Sequence, residues 1–116
     1  VDGEEAIIGF TSFGPARDAD VAGAASPNDA GELYAIYVSA TRWRSGAGHA
    51  LFHAACESMR ERAYDSAVLW VLDDNPRARA FYERHGWAVD GLRRVVTAGA
   101  ATGLVEVRYG VALAAR

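Results

Sequence analysis

The sequence predicts an α/β domain in which a central mixed sheet is flanked by helices. Three observations carry that expectation. Runs of strand length and apolar character stand at Ala6–Phe13, Glu32–Val38, Ala67–Leu72, Trp87–Thr97 and Leu104–Leu113. Segments with helical spacing stand on either side of the third run. The resulting order, strand–strand–helix–strand–helix–strand–strand, requires a sheet with both antiparallel and parallel parts. No internal repeat is present, and residues 1–116 read as a single domain.

Each element has its own local signal. Asp2-Gly3 before Glu4-Glu5 reads as a turn, and Ala6–Phe13 is the strand that leaves it. Gly14-Pro15 through Asp29 is rich in Ala, Asp, Gly, Pro and Ser and reads as a loop at the rim of the site. Glu32–Val38 is almost continuously apolar, which predicts burial on both faces. Ser39–Ser45 connects it to a helix over Ala47–Arg62. There Ala47, Leu51, Ala54, Ala55, Ser58 and Met59 share one face, while Glu57, Arg60, Glu61 and Arg62 face water. Ala67–Leu72 is the next buried strand. Asn75 suits a helix cap and Pro76 the first helical position, so Arg77–His85 is a short helix, closed by Gly86. Trp87–Thr97 and Leu104–Leu113 are strands joined by the loop Ala98–Gly103.

Composition narrows the function. Hydrophobic residues make up 51% and charged residues 23%, as in an ordinary globular domain. The net charge of −3 leaves no basic surplus for nucleic acid, so no nucleic-acid partner is expected. All 12 basic residues are arginine, a side chain suited to phosphate. The single cysteine, Cys56, cannot close an internal disulfide and reads as a small buried hydrophobe, which points to a reducing cytoplasm. His49 and His53 are four residues apart but lack a carboxylate or cysteine at ligand spacing, so no metal is expected. No apolar stretch approaches the roughly 18 residues that span a bilayer, and no membrane partner is expected. The chain starts at Val1 with strand-like residues, as expected if the N-terminal part of a longer protein is missing.

Gly46-Ala47-Gly48, between an apolar strand and a helix, is the most informative motif. A strand that turns through glycines into a helix presents backbone N–H groups at the positive end of a helix dipole, a seat for phosphate. An ordinary tight turn has the same spacing. A Walker A loop needs lysine, which this chain lacks altogether. A dinucleotide fingerprint wants a third glycine where Leu51 stands and an acid where Trp70 stands.

Ile36-Tyr37-Val38, Arg44-Ser45-Gly46-Ala47-Gly48-His49, Asn75 with Ala78, Phe81-Tyr82 and Gly86-Trp87 together resemble the GNAT superfamily of N-acetyltransferases. Val38 and Gly46 are eight apart and Asn75 and Tyr82 seven apart, as in that family. The resemblance covers about residues 6–113. Trp43 stands where the family usually has Arg or Gln, and the family's first strand and first helices have no counterpart before Ala6.

The resemblance implies acetyl-CoA as co-substrate, lying where Leu33–Val38 splays from Ala67–Leu72. The backbone of Ile36, Tyr37 and Val38 would pair with the pantetheine amides, and N–H groups from Arg44, Ser45, Gly46, Ala47, Gly48 and His49 would hold the pyrophosphate. Arg42 and Arg44 would add charge there, unless they are plain solvated surface. Asn75, beside Ala78, would cap its helix and hold a pantetheine amide. Tyr82 is the implied acid for the leaving thiolate, against the plainer reading of a packed aromatic beside Phe81. Glu32, six residues before Val38, is the candidate base, against a simple polar strand start, with Asp73 and Asp74 as rivals. Tyr34 and Trp70 are expected on the acceptor side. The acceptor is a small-molecule or peptide amine. Two alternatives stand beside this reading. One is a non-catalytic acyl-CoA sensor. The other is an interaction module in which Leu104–Leu113 pairs across a homodimer.

Overall fold

A computed structural model describes residues 9–17, 30–38 and 46–113. Its elements are β1 (Gly9–Pro15), β2 (Ala30–Val38), α1 (Ala47–Glu61), β3 (Ser66–Leu72), α2 (Pro76–Arg84), β4 (Ala88–Val95) and β5 (Val105–Ala112). They form one five-stranded sheet in the order β1-β2-β3-β5-β4. Only β2 and β3 are parallel, with α1 as the crossover between them; the other neighbours are antiparallel. This is the mixed sheet expected from the order of elements. The expected turn at Asp2-Gly3, the start of the first strand at Ala6, the loop residues 18–29 and the connection Ser39–Ser45 lie outside the described residues.

Several boundaries differ from the sequence reading. Gly14 and Pro15 belong to β1 and pair with Glu32 and Gly31. Proline is tolerated there because β1 lies at the end of the strand order, where a missing N–H breaks no ladder. A Cβ on Gly14 would come within 2.9 Å of Tyr34 Oη, so glycine lets the Tyr34 ring lie across β1. Ser12 pairs with Ala35 and Phe13 with Leu33, which leaves Tyr34 as an extra residue on β2. That bulge breaks the alternation of side chains. Leu33 and Ile36, three residues apart, consequently both pack on the same core.

The buried face of α1 is Phe52, Ala55, Cys56 and Met59, not the face centred on Leu51 and Ala54. Those four positions are spaced 3, 1 and 3 apart, a stripe down one side of the helix. Ala54 is exposed and Leu51 half-buried. Phe52 decides the phase: its ring meets Phe81, Tyr82, His85 and Trp87 at centroid distances of 4.9–5.8 Å. Full burial of a side chain that size contributes about 1.5–3 kcal/mol. Because Phe52 touches both α2 and the chain leaving it, α1 and α2 lie on one face of the sheet, over Ala67, Leu69, Val71, Val107 and Tyr109.

β5 lies between β3 and β4 and is paired on both sides. It therefore has no open edge, and the expectation that Leu104–Leu113 pairs across a dimer interface is corrected. β4 lies at the sheet edge and is exposed throughout. Val89 pairs with Tyr109 and Arg93 with Val107, so Asp90, Gly91 and Leu92 stand opposite Arg108 alone. Gly91 takes φ +93° in this bulge, and Asp90 Oδ1 accepts from the Leu92 N–H at 3.1 Å. The bulge also delivers Asp90 Oδ2 to Arg108 Nε at 2.5 Å, pairing a guanidinium that is 2% exposed.

Candidate active site

The site starts from a parting of two strands. β2 and β3 pair only through Ala30, Gly31 and Glu32 against Ser66, Ala67 and Val68. Beyond that point each strand keeps its outer neighbour. Leu33–Val38 stays registered on β1, and Leu69–Leu72 stays registered on β5. A wedge opens between them. Burial follows it: of the run expected to be buried on both faces, Glu32 and Leu33 are buried, Tyr34 and Ile36 are half-buried and Ala35 is exposed, so the expectation is corrected where β2 leaves β3. The edge of β2 that faces the wedge, including the backbone of Ile36, Tyr37 and Val38, makes no ladder with β3. Such an edge accepts an extended chain of amides as an added strand.

The first helix after β2 begins in an unusual way. Gly46 is its N-cap at φ +90°, ψ −4°, and no side chain caps the helix. Among the described residues nothing lies within 4 Å of a Cβ added at Gly46, and its φ of +90° is the left-handed backbone that favours glycine. The Gly46 carbonyl accepts from the Ala50 N–H at 3.0 Å. Ala47, Gly48 and His49 form the first turn, whose donors point toward the helix start. Arg42, Arg44 and Ser45 lie outside the described residues.

The second helix is capped as expected. Asn75 Oδ1 accepts from the Ala78 N–H at 3.2 Å, and Pro76 opens the helix. Seven residues on, Tyr82 is buried at 8% exposure in the cluster of Phe52, Phe81 and Tyr109. Burial pushes its hydroxyl above the ordinary 10.0, so it holds its proton. That hydroxyl has no hydrogen-bond partner among the described residues.

Long-range bonds that the sequence did not announce hold α2 in place. Tyr109, fully buried on β5, donates to Glu83 Oε2 at 2.6 Å and accepts from Arg79 Nε at 2.9 Å. Burial is the main cause that raises the Tyr109 hydroxyl above its ordinary value. Arg79 also reaches Asp73 Oδ1 at 2.8 Å, and Arg93 of β4 reaches Asp73 Oδ2 at 3.0 Å. A second unannounced contact joins the helices: His49 Nδ1 lies 2.9 Å from His85 Nε2.

Glu32 is 5% exposed, and its Oε1 accepts from the Arg17 N–H at 3.0 Å. Strand alternation puts it on the face opposite Leu33, hence opposite Tyr82, at the last paired rung before the wedge. Asp73, weighed as a rival base, has both oxygens engaged by guanidinium groups. Asp74 is exposed in an open cleft of about 330 Å³, lined also by Asp73, Pro76, Arg79, Ala80 and Glu83. Trp70 carries the Arg94 guanidinium 4.1 Å above its ring, and Tyr34 carries that of Arg17 at 4.0 Å. Among the described residues no group of three or more His, Cys, Asp or Glu is arranged to hold a metal, and no helix is long and apolar enough to cross a membrane.

The sequence model of the acetyltransferase (GNAT) family matches residues 1–87. The chain belongs to the GNAT acetyltransferase family. The uncharacterized N-acetyltransferase YuaI of Bacillus subtilis is 36% identical over 84 residues, covering 72% of this chain and 44% of its own length. The mycothiol acetyltransferase of Beutenbergia cavernae is 39% identical over 57 residues, 49% of this chain and 19% of its own. The chain thus spans less than half the length of these curated relatives. An N-acetyltransferase from Staphylococcus aureus superposes with a TM-score of 0.75 at 19% identity, over 92% of this chain and 61% of that one. Likeness at that identity shows the GNAT fold.

Within this GNAT domain, the described residues singled out from sequence fall into three groups. Ile36, Gly46, Ala47, Gly48 and His49 border one side of the arrangement, at the end of β2 and the start of α1. Asn75, Ala78 and Tyr82 lie on α2, on the same face of the sheet as α1, while Glu32 lies on the other face.

Proposed function

We infer that this GNAT domain transfers an acetyl group from acetyl-CoA to a primary amine by direct attack in a ternary complex. The observation that carries the reading is the wedge between β2 and β3, together with a helix after β2 whose start no side chain caps among the described residues. A wedge with an open strand edge suits pantetheine amides, and a glycine-led helix start suits a diphosphate. The backbone of Ile36, Tyr37 and Val38 holds the former, with Asn75 and Ala78 facing it from α2. The N–H groups from Arg44 to His49 hold the latter.

Acetyl-CoA supplies an acyl group already activated as a thioester. An alkyl amine with a pKa of about 10 is mostly protonated at neutral pH, so Glu32 takes its proton, directly or through one water. The Val38 N–H steadies the negative charge that grows on the carbonyl oxygen. Tyr82 returns a proton to the sulfur as it leaves. Its burial, which keeps it protonated, suits an acid. Glu32 and the Tyr82 cluster lie on opposite faces of the sheet, which supports base and acid acting from opposite sides.

The test is turnover with a panel of amines, together with calorimetry of CoA. Tyr82→Phe is expected to keep CoA affinity and to lower turnover on the order of 10²-fold. Unchanged turnover in that variant removes Tyr82 from the mechanism. One observation favours a second reading, an acyl-CoA sensor: Glu32 is buried and its Oε1 is already engaged by the Arg17 N–H. CoA binding without turnover on any amine would select the sensor.

A further inference from the structure

We propose that Tyr109 and Arg79 are positioning residues for Tyr82: they fix the roll of α2 about its own axis, and with it the direction in which Tyr82 presents its hydroxyl. This rests on the role given to Tyr82 above, that of proton donor to the departing thiolate. α2 has nine residues, and isolated helices shorter than about 12–15 residues are marginal in water. Its apolar packing is thin. Tyr82 is its one buried residue, with Ala78 and Phe81 half-buried against the core. The flank that carries Pro76, Arg79, Ala80 and Glu83 borders the open cleft of about 330 Å³. A short helix packed on one side and open on the other can roll. A roll of about 20° moves an atom roughly 8 Å from the helix axis by about 3 Å, more than a hydrogen bond tolerates.

Polar contacts stop that roll. Tyr109 rises from β5 with its ring 5.9 Å from that of Tyr82 and inclined at 55°. Its hydroxyl donates to Glu83 Oε2 at 2.6 Å and accepts from Arg79 Nε at 2.9 Å. Arg79 and Glu83 are one turn apart and share a face of α2, and Tyr82 is the residue before Glu83. The sheet therefore grips α2 on both sides of one hydroxyl, through the same side chain that walls the Tyr82 ring.

Arg79 adds a second anchor. Its Nη1 donates to the Asp73 carbonyl at 3.0 Å and to Asp73 Oδ1 at 2.8 Å. Asp73 is itself tied to the sheet: its N–H donates to the Val105 carbonyl at 2.9 Å, and Arg93 Nη2 donates to its Oδ2 at 3.0 Å. The bonds to Tyr109 and to Asp73 leave from different nitrogens of one planar guanidinium, which a lysine at that position does not reproduce.

The test is a double-mutant cycle on turnover. Tyr109→Phe keeps the ring beside Tyr82 and removes the hydroxyl. Glu83 is exposed and Arg79 half-buried, so both released partners reach water and the domain is expected to fold. With the fastest amine of the panel, Tyr109→Phe is expected to lower kcat about tenfold and to leave KM for acetyl-CoA within about twofold of wild type. In the Tyr82→Phe background the same substitution should change kcat by less than about twofold, because the group that it aims is gone. A merely structural role would cost the same factor in both backgrounds. Arg79→Lys, which keeps the charge and loses the bridge, should follow the same pattern, and it decides alone if Tyr109→Phe does not fold. Equal losses in the two backgrounds, or full turnover in Tyr109→Phe, overturn the proposal and leave Tyr82 standing as the acid. Unchanged turnover in Tyr82→Phe, or no turnover of any amine by the wild type, removes the acid itself and the positioning role with it.

Discussion

The two helices of this domain start in opposite ways. At α2 the side chain of Asn75 accepts from Ala78 and Pro76 has no N–H to satisfy, so the helix closes its own first turn. At α1 a left-handed glycine leads in and no side chain caps the turn. A capped start is a stability device, worth about 1 kcal/mol. A start without a side-chain cap among the described residues gives up that increment and leaves its dipole end to other groups. The difference assigns the helices different work. In the proposed reaction α1 would seat an anion, and α2 would carry Tyr82.

Substitutions at the two starts test the contrast. The largest effect is expected from Gly48→Val, which places a branched side chain in the first turn of α1: CoA binding by calorimetry should be lost while the fold survives. Normal CoA affinity in that variant would remove the contrast. Next, Asn75→Ala is expected to lower unfolding stability by about 1 kcal/mol in denaturant titration. A loss of similar size, about 1–2 kcal/mol, is expected from Gly46→Ala, because an alanine must then adopt φ +90°. Gly46→Ala should also weaken CoA, whereas the loss in Asn75→Ala should be chiefly one of stability. The smallest effect concerns the buried faces of the helices. Burial raises Cys56 of α1 above 9.0 and Tyr82 of α2 above 10.0, so the folded state binds both protons more tightly than the unfolded chain does. That stabilisation is complete below pH 9 and is lost as pH rises through the raised values, first for Cys56. Melting temperatures between pH 8 and 11 should therefore fall, and less steeply in Cys56→Ala.

The legible parts of this molecule were those whose cause is local. Asn75-Pro76 announces its cap within four residues, and Gly86 ends α2 with φ +88°. The wedge was visible only through family resemblance, since nothing in the apolar run of β2 marks where it leaves β3. The phase of α1 is not legible locally because Leu51 and Phe52 are adjacent and both apolar; the aromatic partners that select Phe52 lie some 30 residues later in the chain. Tyr109 reads as an ordinary strand tyrosine until Glu83, 26 residues earlier, receives its hydroxyl. His49 and His85 are 36 apart and carry no shared motif. In each case the missing information is a tertiary contact, which periodicity cannot encode.

The bulge at Asp90–Leu92 bears on a different hazard. An open sheet border eight residues long would invite a stray polypeptide to extend the sheet, the first step of aggregation. Three residues set against one interrupt the regular spacing of donors and acceptors, and the ion pair from Asp90 to the buried Arg108 pins the interruption in place. Straightening this border, for instance by deleting two of the three residues, would turn a well-behaved domain into a template for its own precipitation.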